Sequence, residues 1–176
     1  MKRFLAAATL VLGLGLVLPG AALADGPINL SLFNPVQIVK EDQAVTAFRF
    51  SLIYGVNTDL TGLDLSLVGI NRGTVSGVQW AGVGIVEGGF TGWQSGVLAS
   101  ITRGSFTGLQ DGAYTHVGSG SGVQLGIVNT AGEFSGLQFG LVNITDVMTS
   151  GLQIGLINVI KNKEKLKLFP IVNWKF

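Results

Sequence analysis

Apolar and polar residues alternate along most of this chain with a period of two. Over Phe134 to Ile144 one set reads Phe134, Gly136, Gln138, Gly140, Val142 and Ile144, and the other Ser135, Leu137, Phe139, Leu141 and Asn143. That is strand alternation, rich in β-branched and aromatic residues, with no helical stripe. Thr46 to Tyr54 alternates likewise, with Phe48, Phe50, Leu52 and Tyr54 opposite Ala47, Arg49, Ser51 and Ile53. Ile28 to Leu32 reads as a short strand. Leu166 to Phe176 closes the chain, with Leu168, Val172, Trp174 and Phe176 on one face and Lys167, Phe169, Ile171 and Asn173 on the other. Turn-forming clusters such as Asn71-Arg72-Gly73, Glu87-Gly88-Gly89 and Arg103-Gly104-Ser105 separate the segments. The pattern predicts an all-β chain of about ten strands, each about 10 residues long.

The strands share one phrase. A glycine opens it at Gly62, Gly77, Gly92, Gly108, Gly122, Gly136 and Gly151, at spacings of 14 to 16 residues. Ser or Thr always precedes the glycine, and Leu, Val or Trp follows it. Next comes Gln in six copies (Gln79, Gln94, Gln110, Gln124, Gln138, Gln153) and Asp64 in the first. A small residue stands two positions later, from Ser66 and Ala81 to Gly140 and Gly155. The last three copies add Asn129, Asn143 and Asn158. A repeat this regular outranks every other signal in the chain.

Two architectures accept it. In a small antiparallel transmembrane β-barrel, strands of about 9–11 residues turn Leu, Phe and Trp toward lipid and Gln, Gly and Ser into a narrow lumen. This is the expected fold. The alternative is a β-solenoid with coils of about 15 residues, in which Gln and Asn rows stack and hydrogen-bond along the axis. Asp111 favours the solenoid. By parity with Leu109 it lies on the apolar face, where a lipid-facing carboxylate would cost about 1–3 kcal/mol. A solenoid also requires the chain to bend inside the phrase, at the small residue, because a straight strand of about 11 residues spans roughly 35 Å.

Phrases of the form G-L-Q-x-G-L-x-N resemble a family of bacterial surface-repeat proteins of unknown activity. The likeness runs from Thr61 to Val159 and is strongest in Gly136 to Asn143 and Gly151 to Asn158. Phe48 to Leu67, with Ser51-Leu-Ile-Tyr-Gly55, is similar to the lead-in of such proteins, whereas the copies at Gly92 and Gly108 lack the Asn. The closing strand, with Trp174 and Phe176, resembles the C-terminal recognition strand of bacterial outer-membrane proteins, with Pro170 as a departure. These resemblances imply an outer-membrane or cell-surface location and bring no catalytic residues.

Composition narrows the field. Only 12% of the 176 residues are charged and 27 are Gly, which excludes a disordered chain and a coiled coil. The net charge of +1 gives no footprint for nucleic acid. With no Cys, thiol chemistry, disulfides and Cys-ligated metals are excluded. Lys2 and Arg3, the apolar run Phe4 to Leu18 and the small-x-small site Ala22-Leu23-Ala24 predict a secretory signal over 1–24, cleaved before Asp25. Residues 25–176 are then a single β-repeat domain, with the repeat array at 61–160 and the closing strand at 166–176.

Candidate chemistry is sparse. His116 is the only histidine, and Asp111, five residues away, points to the opposite face. No catalytic, cofactor-binding or metal-ligating residue is expected, and no cofactor. Trp80, Trp93 and Phe139 share the apolar face, as lipid-facing or packing residues ahead of a stacking platform. Arg49 reads as a lumenal or surface charge. Lys161, Lys163, Lys165 and Lys167 form a solvated hairpin or, more weakly, a contact with anionic head groups. The expectation is a non-enzymatic structural protein with outer-membrane lipid as its partner. The alternative is an exported β-solenoid acting as a surface binding or adhesion module for protein, carbohydrate or a second copy.

Overall fold

Each copy of the phrase lies directly on the one before it. The computed structural model describes residues 25–176, so the predicted signal segment, 1–24, lies outside the described residues. The strands are β1 (Gly26–Phe33), β2 (Val36–Gln37), β3 (Val45–Asn57), β4 (Leu60–Asn71), β5 (Val75–Val86), β6 (Phe90–Ile160) and β7 (Leu168–Lys175). They form one sheet in the order β2-β1-β3-β4-β5-β6-β7. The pairs β1–β3, β3–β4, β4–β5 and β5–β6 are parallel, with Gly62 on Gly77, Gln79 on Gln94 and Ser76 on Thr91. The β6 segment spans 71 residues and winds through five copies, stacked opening glycine on opening glycine from Gly92 to Gly151.

The fold is therefore a β-solenoid, and the expected antiparallel barrel of about ten strands is corrected. Among the described residues, the antiparallel strand pairs are those at the two ends, β1–β2 and β6–β7. The physical reason lies in the repeat itself. Near-identical phrases put like on like only when the coils run the same way, and an amide row needs like on like.

The opening glycine fixes the spacing. It adopts a positive φ in every copy, between 111° and 159°. A Cβ on Gly108 would run into the carbonyl oxygen of Gly92, and one on Gly122 into that of Gly108. Any side chain would push the coils apart.

Alternation breaks at the turn margin of the coils, where Ala131 and Phe134 are both buried, and again within the phrase. Gln138 and Asn143 are both fully buried, although they are an odd number of residues apart. Between them Leu141 points outward and Val142 is half-exposed. The chain turns a corner here, just after the small residue, and the inward parity switches. Val142 and Ile144 thus leave the face that strict alternation gave them, and Asn143 joins Gln138 inside. At the other margin of the coil the turn clusters close the loop over an apolar core of Val45, Leu60, Val75, Phe90, Phe106 and Phe134. Phe90 and Phe106 stack there with centroids 6.0 Å apart.

Strand β7 caps the stack. It pairs antiparallel with the last coil, Gln153 opposite Asn173. Asn173 is buried; its Nδ2 donates to the Asn158 and Lys167 carbonyls, and its Oδ1 accepts from Lys163 Nζ at 2.8 Å. The register shifts opposite Leu156 and Ile157, where Ile171 takes a φ of 69°.

Candidate binding surface

The interior is polar, and this decides what the exterior must be. Each Gln of the row donates from Nε2 to the Oε1 of the Gln one coil back: Gln94 to Gln79 at 2.9 Å, Gln110 to Gln94 at 2.8 Å, Gln124 to Gln110 at 2.9 Å, Gln138 to Gln124 at 2.6 Å and Gln153 to Gln138 at 2.7 Å. In four of these five the second Nε2 hydrogen crosses the interior to a backbone carbonyl of the far wall, as from Gln110 to His116 at 3.1 Å and Gln153 to Val159 at 3.1 Å. Asparagines run the opposite way. Asn129 Nδ2 donates forward to Asn143 Oδ1 at 2.8 Å and to the Phe139 carbonyl at 3.0 Å, and Asn143 repeats this with Asn158 and Ile154.

Asp64 sets the polarity of the glutamine row. A carboxylate is acceptor-only, so Gln79 must donate to it, at 2.7 Å, and every later amide falls into the same sense. Arg49 supplies the counter-charge through Nε at 2.8 Å and Nη2 at 2.5 Å, and both side chains are wholly buried. Neither reading of Arg49 as a lumenal or a surface charge holds. It is the ion at the foot of a ladder.

Small and large residues alternate between the two inner rows. A Cβ on Gly140 would meet Asn129 Nδ2 at 2.5 Å, and one on Gly69 would meet Asp64 Oδ2 at 2.7 Å. Where the far row is Gly69 or Gly84 the near row is Ser66 or Ala81. Where it is Asn129, Asn143 or Asn158 the near row is Gly126, Gly140 or Gly155. The interior is thus one amide deep, and aliphatic side chains are displaced outward.

The displaced residues build the exterior. Leu137, Phe139 and Leu141 face outward, as parity predicted, and so do their counterparts in neighbouring coils. The corner is the most apolar part. Val97 is 76% exposed beside Leu98, and Leu156 is 66% exposed beside Ile157. Coil 92 carries one extra residue here, which pushes Val97 and Leu98 out as a bulge. On the last coils an open cavity of about 480 Å³ is lined by Phe139, Leu141, Ile154, Leu156 and Ile171 over bare glycine backbone.

Charges keep to the opposite edge. Arg72 pairs with Glu41 at 3.2 Å, Arg103 with Glu87 at 3.6 Å and Lys161 with Asp146 at 2.6 Å, all in the turn clusters and all exposed. A column of Ser and Thr, from Thr61 to Ser150, separates this edge from the apolar wall. Lys175, opposite Gly151 at the foot of the wall, and Asp111 depart from this; Asp111 is partnered, with Oδ2 accepting from Trp93 Nε1 at 2.9 Å and Oδ1 from Ser95 Oγ at 2.5 Å. Trp93 in turn meets Trp80 edge-on, centroids 5.3 Å apart.

His116 stands on the far wall, its Nδ1 2.9 Å from Thr130 Oγ1. Burial lowers its pKa below 6.5, the Arg103 charge adds to the lowering, and Asp146 opposes it. Its hydrogen-bond partner is a hydroxyl, not a carboxylate. Among the described residues no three His, Asp or Glu side chains gather as a metal site. Of the lysine cluster, Lys161 is paired with Asp146, and Lys163 lies 5.5 Å from the Trp174 ring centroid. The solenoid alternative placed a bend at the small residue, where the corner lies; what sequence reasoning missed is the switch of parity there, which period-two alternation hides. Consecutive apolar pairs such as Leu156-Ile157 after the small residue were the available signal. No family model, no curated protein and no solved structure matches this chain.

Proposed function

We propose that this protein is an exported β-solenoid that acts as a non-enzymatic surface binding module of the bacterial cell envelope. One observation carries the reading: an apolar exterior that runs the length of the stack over an interior whose glutamine and asparagine rows bond chiefly to one another. Contiguous exposed apolar surface larger than a few hundred Å² marks an interaction site on soluble proteins. Here the repeat renews it in every coil. The leader-like segment and the surface-repeat resemblance support an envelope location. The chemistry of the residues supports binding over turnover, since the glutamine and asparagine rows inside are bonded to one another.

Surface display tests this directly. The chain has no Cys, so a single Cys at Thr91, in the exposed hydroxyl column, reports location without background. In intact cells Thr91→Cys should react with a membrane-impermeant maleimide as fully as in lysed cells. Labelling only after lysis would place the protein inside and refute the reading.

A further inference from the structure

Resting on that reading, we infer that the partner is a lipid leaflet: the apolar corner and its two walls seat in the hydrocarbon, with the charged turn edge at the head groups. Three observations point there. The first is shape. The walls meet at a convex corner, so a second copy laid against one wall would leave the other bare. A fluid leaflet covers both walls and the corner together.

The second is depth. From Gly136 to Leu141 the wall rises five residues, about 16 Å. One leaflet contributes half of the ~30 Å hydrocarbon core. The salt-bridged charges begin beyond the Ser and Thr column, where such a leaflet would end, and Lys175 stands level with Gly151 at that boundary. Asp111 meets the wall only as a hydrogen-bonded partner of Trp93 and Ser95.

The third is how the stack ends. Unpaired backbone N–H groups are costly in hydrocarbon, and a solenoid has free edges only at its two terminal strands. Pro170, without an N–H, lies in the β7 segment that faces Leu156 and Ile157, at the corner. Pro35 occupies the tip of the β1–β2 hairpin beside Phe33, at the other end of the same line. Both terminal edges lack a donor close to where they would enter lipid.

The test uses the purified protein and phosphatidylcholine vesicles. It should co-float with them at low and high salt alike, and its tryptophan emission should be quenched by lipids brominated on the acyl chains. The double variant Leu141→Asp with Leu156→Asp should lose partitioning by at least about tenfold. The variant Thr91→Asp with Ser135→Asp, at the head-group level, should keep it. Circular dichroism of both variants would verify the fold.

Wild-type protein that stays with the buffer, or corner variants that float as well as wild type, would overturn the lipid assignment. Discrete dimers in place of flotation would make a second copy the occupant. In both cases positive surface labelling at Thr91 would leave the binding-module reading standing, and negative labelling would remove that reading on its own.

Discussion

Replacing Asp64 with Gln gives the first copy of the phrase the residue that six others carry, and it should nonetheless be among the most damaging single changes in the protein. Asp64 takes two hydrogen bonds from Arg49, one from Gln79 and one from Ser66 Oγ, all without solvent. A Gln there offers one acceptor oxygen and no charge. The Arg49 guanidinium stays buried and ionised, because its pKa is too high for deprotonation to relieve it. Breaking a buried pair from one side costs about 3–5 kcal/mol, a large share of the ~5–15 kcal/mol that holds a domain together. Because a solenoid couples mainly between neighbouring coils, the loss should concentrate around β3, β4 and β5. Hydrogen exchange should speed up there while the coil from Gly151 to Ile160 changes little. Arg49→Gln together with Asp64→Gln should recover most of the loss, since two amides extend the ladder with no charge left over. A double-mutant cycle by urea denaturation should give a coupling of about 2–4 kcal/mol. A loss under about 1 kcal/mol for Asp64→Gln, or a double variant as weak as the sum of the singles, would refute the ladder-foot argument.

Asn71 is fully buried, and neither amide atom finds a hydrogen-bond partner among the described residues; Asn71→Val, matching Val86 in the next coil, should raise the denaturation midpoint by about 1–2 kcal/mol equivalent. Gly140→Ala would drive a methyl into the Gly126 carbonyl and Asn129 Nδ2 and should cost about 1–3 kcal/mol in the same assay. Ile171, a β-branched residue at φ 69° and largely exposed, should gain about 1 kcal/mol when changed to Gly, seen as a higher melting temperature. For His116 the folded pKa lies below 6.5, so the unfolded chain binds the proton more readily. Stability should fall as pH drops from about 6.5 through the folded pKa, and His116→Gln should flatten that slope in acid-denaturation curves.

The sequence made the coil legible and left its cross-section hidden. The glycine phrase gave the period, and the identity of successive phrases was the strongest sign of parallel stacking. Outward placement of Leu137, Phe139 and Leu141 with Gln138 inward followed from parity in barrel and solenoid alike, so it could not separate them. What separates them is Asn143. Strict alternation puts it beside Leu141, and only the corner between Leu141 and Val142 brings it inside with Gln138. The small residue marked where a solenoid would have to bend, but the change of parity that follows the bend is a backbone event, and no single residue type announces it. Arg49 was obscure for another reason. Its partner is adjacent only because β3 stacks on β4, Arg49 on Asp64, a contact that strand assignment alone does not supply.

The polarity of this protein is inverted, and that separates folding from binding. Among the described residues, 28 large apolar side chains are exposed, against 14 hydrophobic residues in the core. Apolar burial, which ordinarily drives folding more than any other force, is thus partly withheld. The remainder comes from two amide rows of opposite sense, most of whose members use both N–H donors, and from a backbone stacked in register. A row of this kind is cooperative along its length and tolerates no gap, since a missing amide leaves a buried donor or acceptor on each side. An outward Leu has no such neighbours. Phe139→Ser should therefore alter what the surface holds while changing the denaturation midpoint little, whereas Gln138→Leu, nearly the same volume but turned inward, should break the ladder at Gln124, Thr145 and Gln153 together. If instead the outward variant proved the more destabilising in detergent-free urea titrations, the exterior would be part of the folding core. The case for a surface reserved for a partner would then fail at its root.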